Sequence, residues 1–183
     1  MTSLLFPLLV AIAAEPESRT YDTPRWSEAV AGIQAKVTLV QKEKYNGTRM
    51  LVPYLELKNA GDSAHPVKVP LSSGNVKFEL VDKEGKVVRD GWTLPRSGPH
   101  VDPGVVTLPL DSEMKIGMYC SNWGVPKDAA AQISTDSGSW ILKEEERQKV
   151  YLRATLKSDL KEPHPDFYWK GTLVTPLIRV DWQ

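Results

Sequence analysis

Cysteine is nearly absent from this chain: Cys120 is the only one in 183 residues. One thiol excludes an internal disulfide, so stability has to come from a buried core. In "GMYCSNWG" it has aromatic neighbours and no adjacent base, which fits a small packing residue better than a nucleophile. Net charge is absent as well, because 23 Lys and Arg balance 23 Asp and Glu. That balance excludes the basic footprint of nucleic-acid or anionic-membrane binding. The one short charge block, Glu144-Glu145-Glu146, reads as a solvated turn. No apolar run approaches the roughly 20 residues of a membrane-spanning helix. Catalytic signatures are missing too: G-x-S-x-G, H-E-x-x-H, a Walker loop and G-x-G-x-x-G do not occur. The serines of "LSSGN" and "DSGSW" are turn serines with no neighbouring histidine to activate them.

What is present begins with an apolar stretch over residues 4–14, followed by a polar segment. Its Ala11-Ile12-Ala13 ending has the A-x-A form that precedes secretory cleavage, although the first basic residue, Arg19, lies after the run. Residues 1–14 are therefore expected to be a signal peptide, 15–25 a flexible lead-in, and 26–183 a single domain. A chain of this size buries roughly 70% of its unfolded surface on folding.

Helix signals are few. "DTPRWSEAVAG" offers Thr23 as a cap, Pro24 at the first helical position and Gly32 as a stop; "PKDAAAQI" is a second short candidate. Alternation dominates elsewhere. In "GIQAKVTLVQ" Ile33, Ala35, Val37 and Leu39 share one side. "MLVPYLELKN" points Leu51, Leu55 and Leu57 inward, with Pro53 on the same face arguing for an edge or a bulge. "NVKFELVDKEGKVVRDG" is a hairpin turning at Asp82–Gly85. "VVTLPL", "MKIGMY" and "SGSWILK" follow, and "RQKVYLRATLKSD" points Val150, Leu152, Ala154 and Leu156 one way. The last segment, "WKGTLVTPLIRV", is apolar on both sides like a central strand, with Pro176 interrupting its ladder. Eight or nine short strands with one or two helical turns predict an all-β, antiparallel, immunoglobulin-like sandwich. A closed barrel is the other arrangement of such strands.

"YLELKNAGDSAHPVKV" followed by "VKFELVDKEGKVV" resembles bacterial immunoglobulin-like modules and the proteinase-inhibitor type of bacterial β-sandwich. "WSEAVAGIQAKV", "WGVPKDAAAQI" and "YLRATL…YWKGTLVTPLIRV" resemble an uncharacterised sandwich module of planctomycete envelope proteins. The resemblance implies a sandwich fold and an envelope setting, and assigns no functional residue. In that bacterial context the "NGT" at Asn46 reads as turn residues.

Two H-x-D pairs, His100 with Asp102 and His164 with Asp166, sit in Pro-rich loops. Were those loops to meet, two imidazoles and two carboxylates would suit Zn or Mn; turn chemistry explains the same residues without a metal. Trp92, Trp123 and Trp169 lie at element ends, where an indole with one dry and one wet side forms a binding rim or plugs the end of a sandwich. "EPHPDFYWKG" is read as the loop feeding the last strand.

The sequence thus leads to an exported, secreted or periplasmic, non-catalytic binding or structural module. It needs no cofactor, has no transmembrane segment, and has a protein or cell-envelope component, including carbohydrate, as its partner. An inhibitor or regulator of an envelope peptidase acting through "LPRSGPHVDPG" is the first alternative. A metal-dependent hydrolase using the H-x-D pairs is the second.

Overall fold

The alternation of Ile33, Ala35 and Val37 becomes the inner face of a long hairpin, and the rest of the fold is built around it. A computed structural model describes residues 23–45, 47–62, 65–71, 74–91, 104–118, 128–135, 138–158 and 168–183. Its strands are β1 (Ile33–Tyr45), β2 (Thr48–Asn59), β3 (Val67–Leu71), β4 (Val76–Val81), β5 (Val87–Arg89) and β6 (Gly104–Leu108). They continue as β7 (Glu113–Gly117), β8 (Ala131–Thr135), β9 (Gly138–Leu142), β10 (Tyr151–Ser158), β11 (Gly171–Val174) and β12 (Ile178–Arg179). Among the described residues a single 3-10 turn spans Glu144–Glu146. The protein is all-β.

Two five-stranded sheets share one core. The first runs β1-β2-β8-β9 with β7 also on β2; the second runs β11-β10-β4-β5 with β12 also on β10; β3 and β6 form a separate ribbon. Leu55 and Leu57 from the first sheet and Leu80, Leu152 and Ala154 from the second are all fully buried in one apolar cluster. Burying such side chains, about 1.5–3 kcal/mol each, is the main force holding the sheets together.

Pro53 occupies the position where β2 changes partner. Along one edge β2 pairs in parallel with β8 at Arg49, Met50 and Leu51, then antiparallel with β7 from Tyr54 to Lys58. Pro53 falls between, its carbonyl accepting the Met118 N–H at 3.0 Å. It has no N–H to complete that exchange, so the ladder stops there. β10 is divided in the same way, between β12 at Tyr151–Leu152 and β11 from Thr155 onward. In the gap Thr175 donates its N–H to the Ala154 carbonyl at 2.9 Å and accepts the Ala154 N–H on Oγ1 at 2.9 Å. Pro176 follows, as the interrupted alternation predicted.

The structure revises three local expectations. Residues 23–32 contain no helix: Ala31 and Gly32 both have positive φ, at 45° and 78°, and fold residues 27–30 back along β1. Ser27 N–H then donates to Ala35 O and Ala35 N–H to Ser27 Oγ. Within "PKDAAAQI", Ala131 to Ile133 belong to β8, whose five residues are all buried; burial overrides the helix preference of alanine. The final segment is an edge, not a central strand, leaving Val174 48% exposed. The strand count rises from eight or nine to twelve among the described residues because β3 and β8 lacked a clean alternation and the last segment divides into β11 and β12.

Candidate functional site

Of the residues singled out from sequence, His100, Asp102, His164, Asp166, Trp92 and Trp123 lie outside the described residues, as does Cys120. Trp169 is described, and it is not on a rim. Its side chain is among the largest fully buried ones, 2% exposed, and its indole N–H donates to the Val30 carbonyl at 2.8 Å. The ring plugs the sandwich where the folded-back segment meets β11. Trp140 is likewise buried. Among the described residues no group of three or more His, Cys, Asp or Glu is placed to hold a metal ion, and no helix is long and apolar enough to cross a membrane.

Among the described residues, the most organised outward-facing chemistry lies on the outer face of the first sheet, where its members are mostly half-buried. Strand register places Lys36, Glu56 and Lys115 side by side on β1, β2 and β7. Lys36 Nζ is 3.0 Å from Glu56 Oε2, and Lys115 Nζ is 3.2 Å from Oε1. Thr38 Oγ1 donates to Oε1 at 2.9 Å. Partial burial of Glu56 pushes its pKa up, but the donors Lys36, Thr38 and Lys115 together outweigh it and hold the carboxyl below its ordinary value. The next row sets Gln34, Lys58 and Glu113 side by side, with Lys58 Nζ 3.3 Å from Glu113 Oε1.

Two rings complete the face. Trp26 lies under Lys36, 4.2 Å from ring centroid to Nζ, and Lys58 approaches the same ring at 6.0 Å. Lys115 stands 4.7 Å over the Tyr54 ring. Gly117 makes room for that ring: a Cβ there would meet Tyr54 Cε1 at 3.3 Å. Ammonium groups over aromatic faces are attracted by the ring quadrupole, which fixes both partners. Three lysines against two glutamates leave the face net positive, with flat apolar rings beside the charges. Such a surface suits a ligand that combines carboxylate or sulfate groups with stackable faces.

One hollow among the described residues offers less. A 160 Å³ hollow between β4 and β5 is lined by Lys77, Glu79, Arg89 and Trp140 among others. Its charged groups are already committed: Glu79 pairs with Lys77 at 2.9 Å and Arg153 at 2.7 Å, and Arg89 pairs with Glu146.

Sequence reasoning missed the Trp26–Lys36–Glu56–Tyr54–Lys115 face. Lys36, Tyr54, Glu56 and Lys115 are outward positions of three alternating strands, and Trp26 joins them from the segment folded back along β1. Their adjacency depends on β7 pairing with β2, which no local pattern encodes. Comparison with protein-family models, curated proteins and solved structures gives no match for this chain.

Proposed function

We propose that this chain is an exported, non-catalytic binding module of the cell envelope, and that it engages an acidic envelope component, glycan or protein, through the outer face of its first sheet. The observation that carries the reading is the row Lys36–Glu56–Lys115, flanked by Trp26 and Tyr54. Its geometry is fixed before any ligand arrives: Glu56 orients both lysines, and the lysines orient both rings. Preorganised groups of this kind bind without the cost of ordering long side chains. Export follows from the apolar N-terminal run and its A-x-A ending.

The test is co-sedimentation of purified protein with an isolated cell-envelope fraction, alongside a glycan array that includes uronic-acid and sulfated glycans. Trp26→Ala, Tyr54→Ala and Lys115→Glu are each expected to weaken retention about tenfold or more, the effect of losing one central contact of about 1.4 kcal/mol. Retention unchanged in all three variants contradicts the assignment of this face.

A further inference from the structure

Among the described residues, the β3–β6 ribbon ends in an open edge. The Lys68 carbonyl accepts the Trp169 N–H at 2.8 Å, on the side of β3 away from β6. Lys68 pairs with Thr107 and Pro70 with Val105. Alternation along an antiparallel pair therefore turns the backbone N–H and C=O of Val105 and Thr107 outward, away from β3. Neither residue has a backbone partner on that side among the described residues. Both are exposed, Val105 by 46%, and Leu110 just beyond is 42% exposed.

The strand reads Gly-Val-Val-Thr-Leu and pairs with β3 without a register shift. It has no charge, no proline and no bulge, the devices that keep edge strands from pairing with other chains. Most other edges have them: β1 bears Lys36 and Lys42, β5 bears Arg89, β7 bears Glu113 and Lys115, and β11 runs into Pro176; β9 lacks them but is almost wholly buried.

We propose that β6 pairs edge to edge with β6 of a second copy of this chain, antiparallel, about a two-fold axis at Val106. In that register Val105 stands opposite Thr107 of the second copy, and each such pair exchanges both backbone hydrogen bonds. Val106 meets its own counterpart. The three central oppositions are between β-branched residues, a favourable cross-strand pairing; Gly104 falls opposite Leu108, and no like charges meet. The same operation on β1, about Leu39, would set Lys36 opposite Lys42. Self-complementarity therefore favours β6 and favours a second copy as its occupant. The area covered by so short a strand falls below the roughly 1,200 Å² of stable complexes, so the dimer is weak and reversible.

Sedimentation velocity on the purified chain from about 1 to 200 µM, the range in which a weak interface populates, tests this directly. The weight-average sedimentation coefficient rises toward that of a dimer. Thr107→Pro removes an N–H that no bond among the described residues uses, and Val105→Lys places a guard on the edge; each weakens association about tenfold or more. Circular dichroism and melting curves matching the parent protein show that the variants fold, and if the proline variant does not, Val105→Lys alone decides. A monomer across the whole range overturns the proposal, as does a dimer that a folded variant leaves unchanged.

Discussion

Lys115 faces Glu56 across the β2–β7 pair, its Nζ 3.2 Å from Oε1, while Lys36 holds the other carboxylate oxygen from β1. One carboxylate thus ties together three strands on the outer surface of the first sheet, and its charge state is coupled to stability. The folded protein holds the Glu56 pKa below its ordinary 4.5. A lowered pKa means that the stabilisation is fully present above about pH 4.5 and is lost as pH falls through the folded-state value. Glu56→Gln is expected to cost about 0.5–1.5 kcal/mol at neutral pH. That deficit shrinks below about pH 4.5 as the parent carboxyl protonates. Urea melts of both proteins at stepped pH check it; a deficit that stays constant down to pH 3 would show that the ion pairs contribute nothing.

Thr175 performs a backbone's task with its side chain. Its Oγ1 accepts the buried Ala154 N–H at the gap between β11 and β12. Thr175→Val keeps the shape and leaves that N–H unsatisfied, a cost of about 1–3 kcal/mol. Thr175→Ser restores the acceptor and recovers most of the loss. Equal destabilisation by both substitutions would mean that packing of the methyl group, and not the hydrogen bond, matters here.

Asn59 is 1% exposed and joins the end of β2 to its surroundings from both ends of its amide. Nδ2 donates to the Leu108 carbonyl at 3.0 Å, and Oδ1 accepts the Gly61 N–H at 3.2 Å. Asn59→Ala is expected to lower stability by about 2 kcal/mol, and Asn59→Asp by more at neutral pH, since a carboxylate would face a carbonyl oxygen. Chemical denaturation of the three proteins gives the order.

Gly91 and Gly138 are in contact where the chain leaves β5 and passes over β9. A Cβ on Gly91 would lie 2.9 Å from Trp140 Cζ2 and 3.0 Å from the Gly138 Cα. Backbone and a buried indole cannot move aside cheaply. Gly91→Ala is expected to cost about 2 kcal/mol or more, within the range of core overpacking. A melting temperature within a degree of the parent would show that this crossing can shift.

Much of the fold was legible in the sequence, because each strand's inner face repeats every second residue. Ile33, Ala35 and Val37, then Val150, Leu152, Ala154 and Leu156, are buried as their alternation indicated. The Asp82–Gly85 turn is also present, with Asp82 Oδ1 accepting the Glu84 and Lys86 N–H groups. Pro53 was visible as an exception, but its meaning lies in β2 changing partners, a relation between distant strands. The Thr23-Pro24 start signal was local and lost to the positive-φ turn at Ala31 and Gly32. Trp169 was left between rim and plug because its flanking residues describe only a strand end, whereas its burial as a plug depends on Val30 lying across it. The Lys36–Glu56–Lys115 row was illegible for the same reason as Pro53: β7 reaches β2 only through the tertiary fold.

The claim that the first sheet's outer face is the binding surface is tested most directly by mapping amide chemical shifts. Labelled protein is titrated with a uronic-acid or sulfated oligosaccharide, the class of ligand proposed for this face. The account predicts that perturbations concentrate at Trp26, Lys36, Tyr54, Glu56, Lys58 and residues 113–117. Perturbations confined to the second sheet or to the loops, with these positions unmoved, would contradict it.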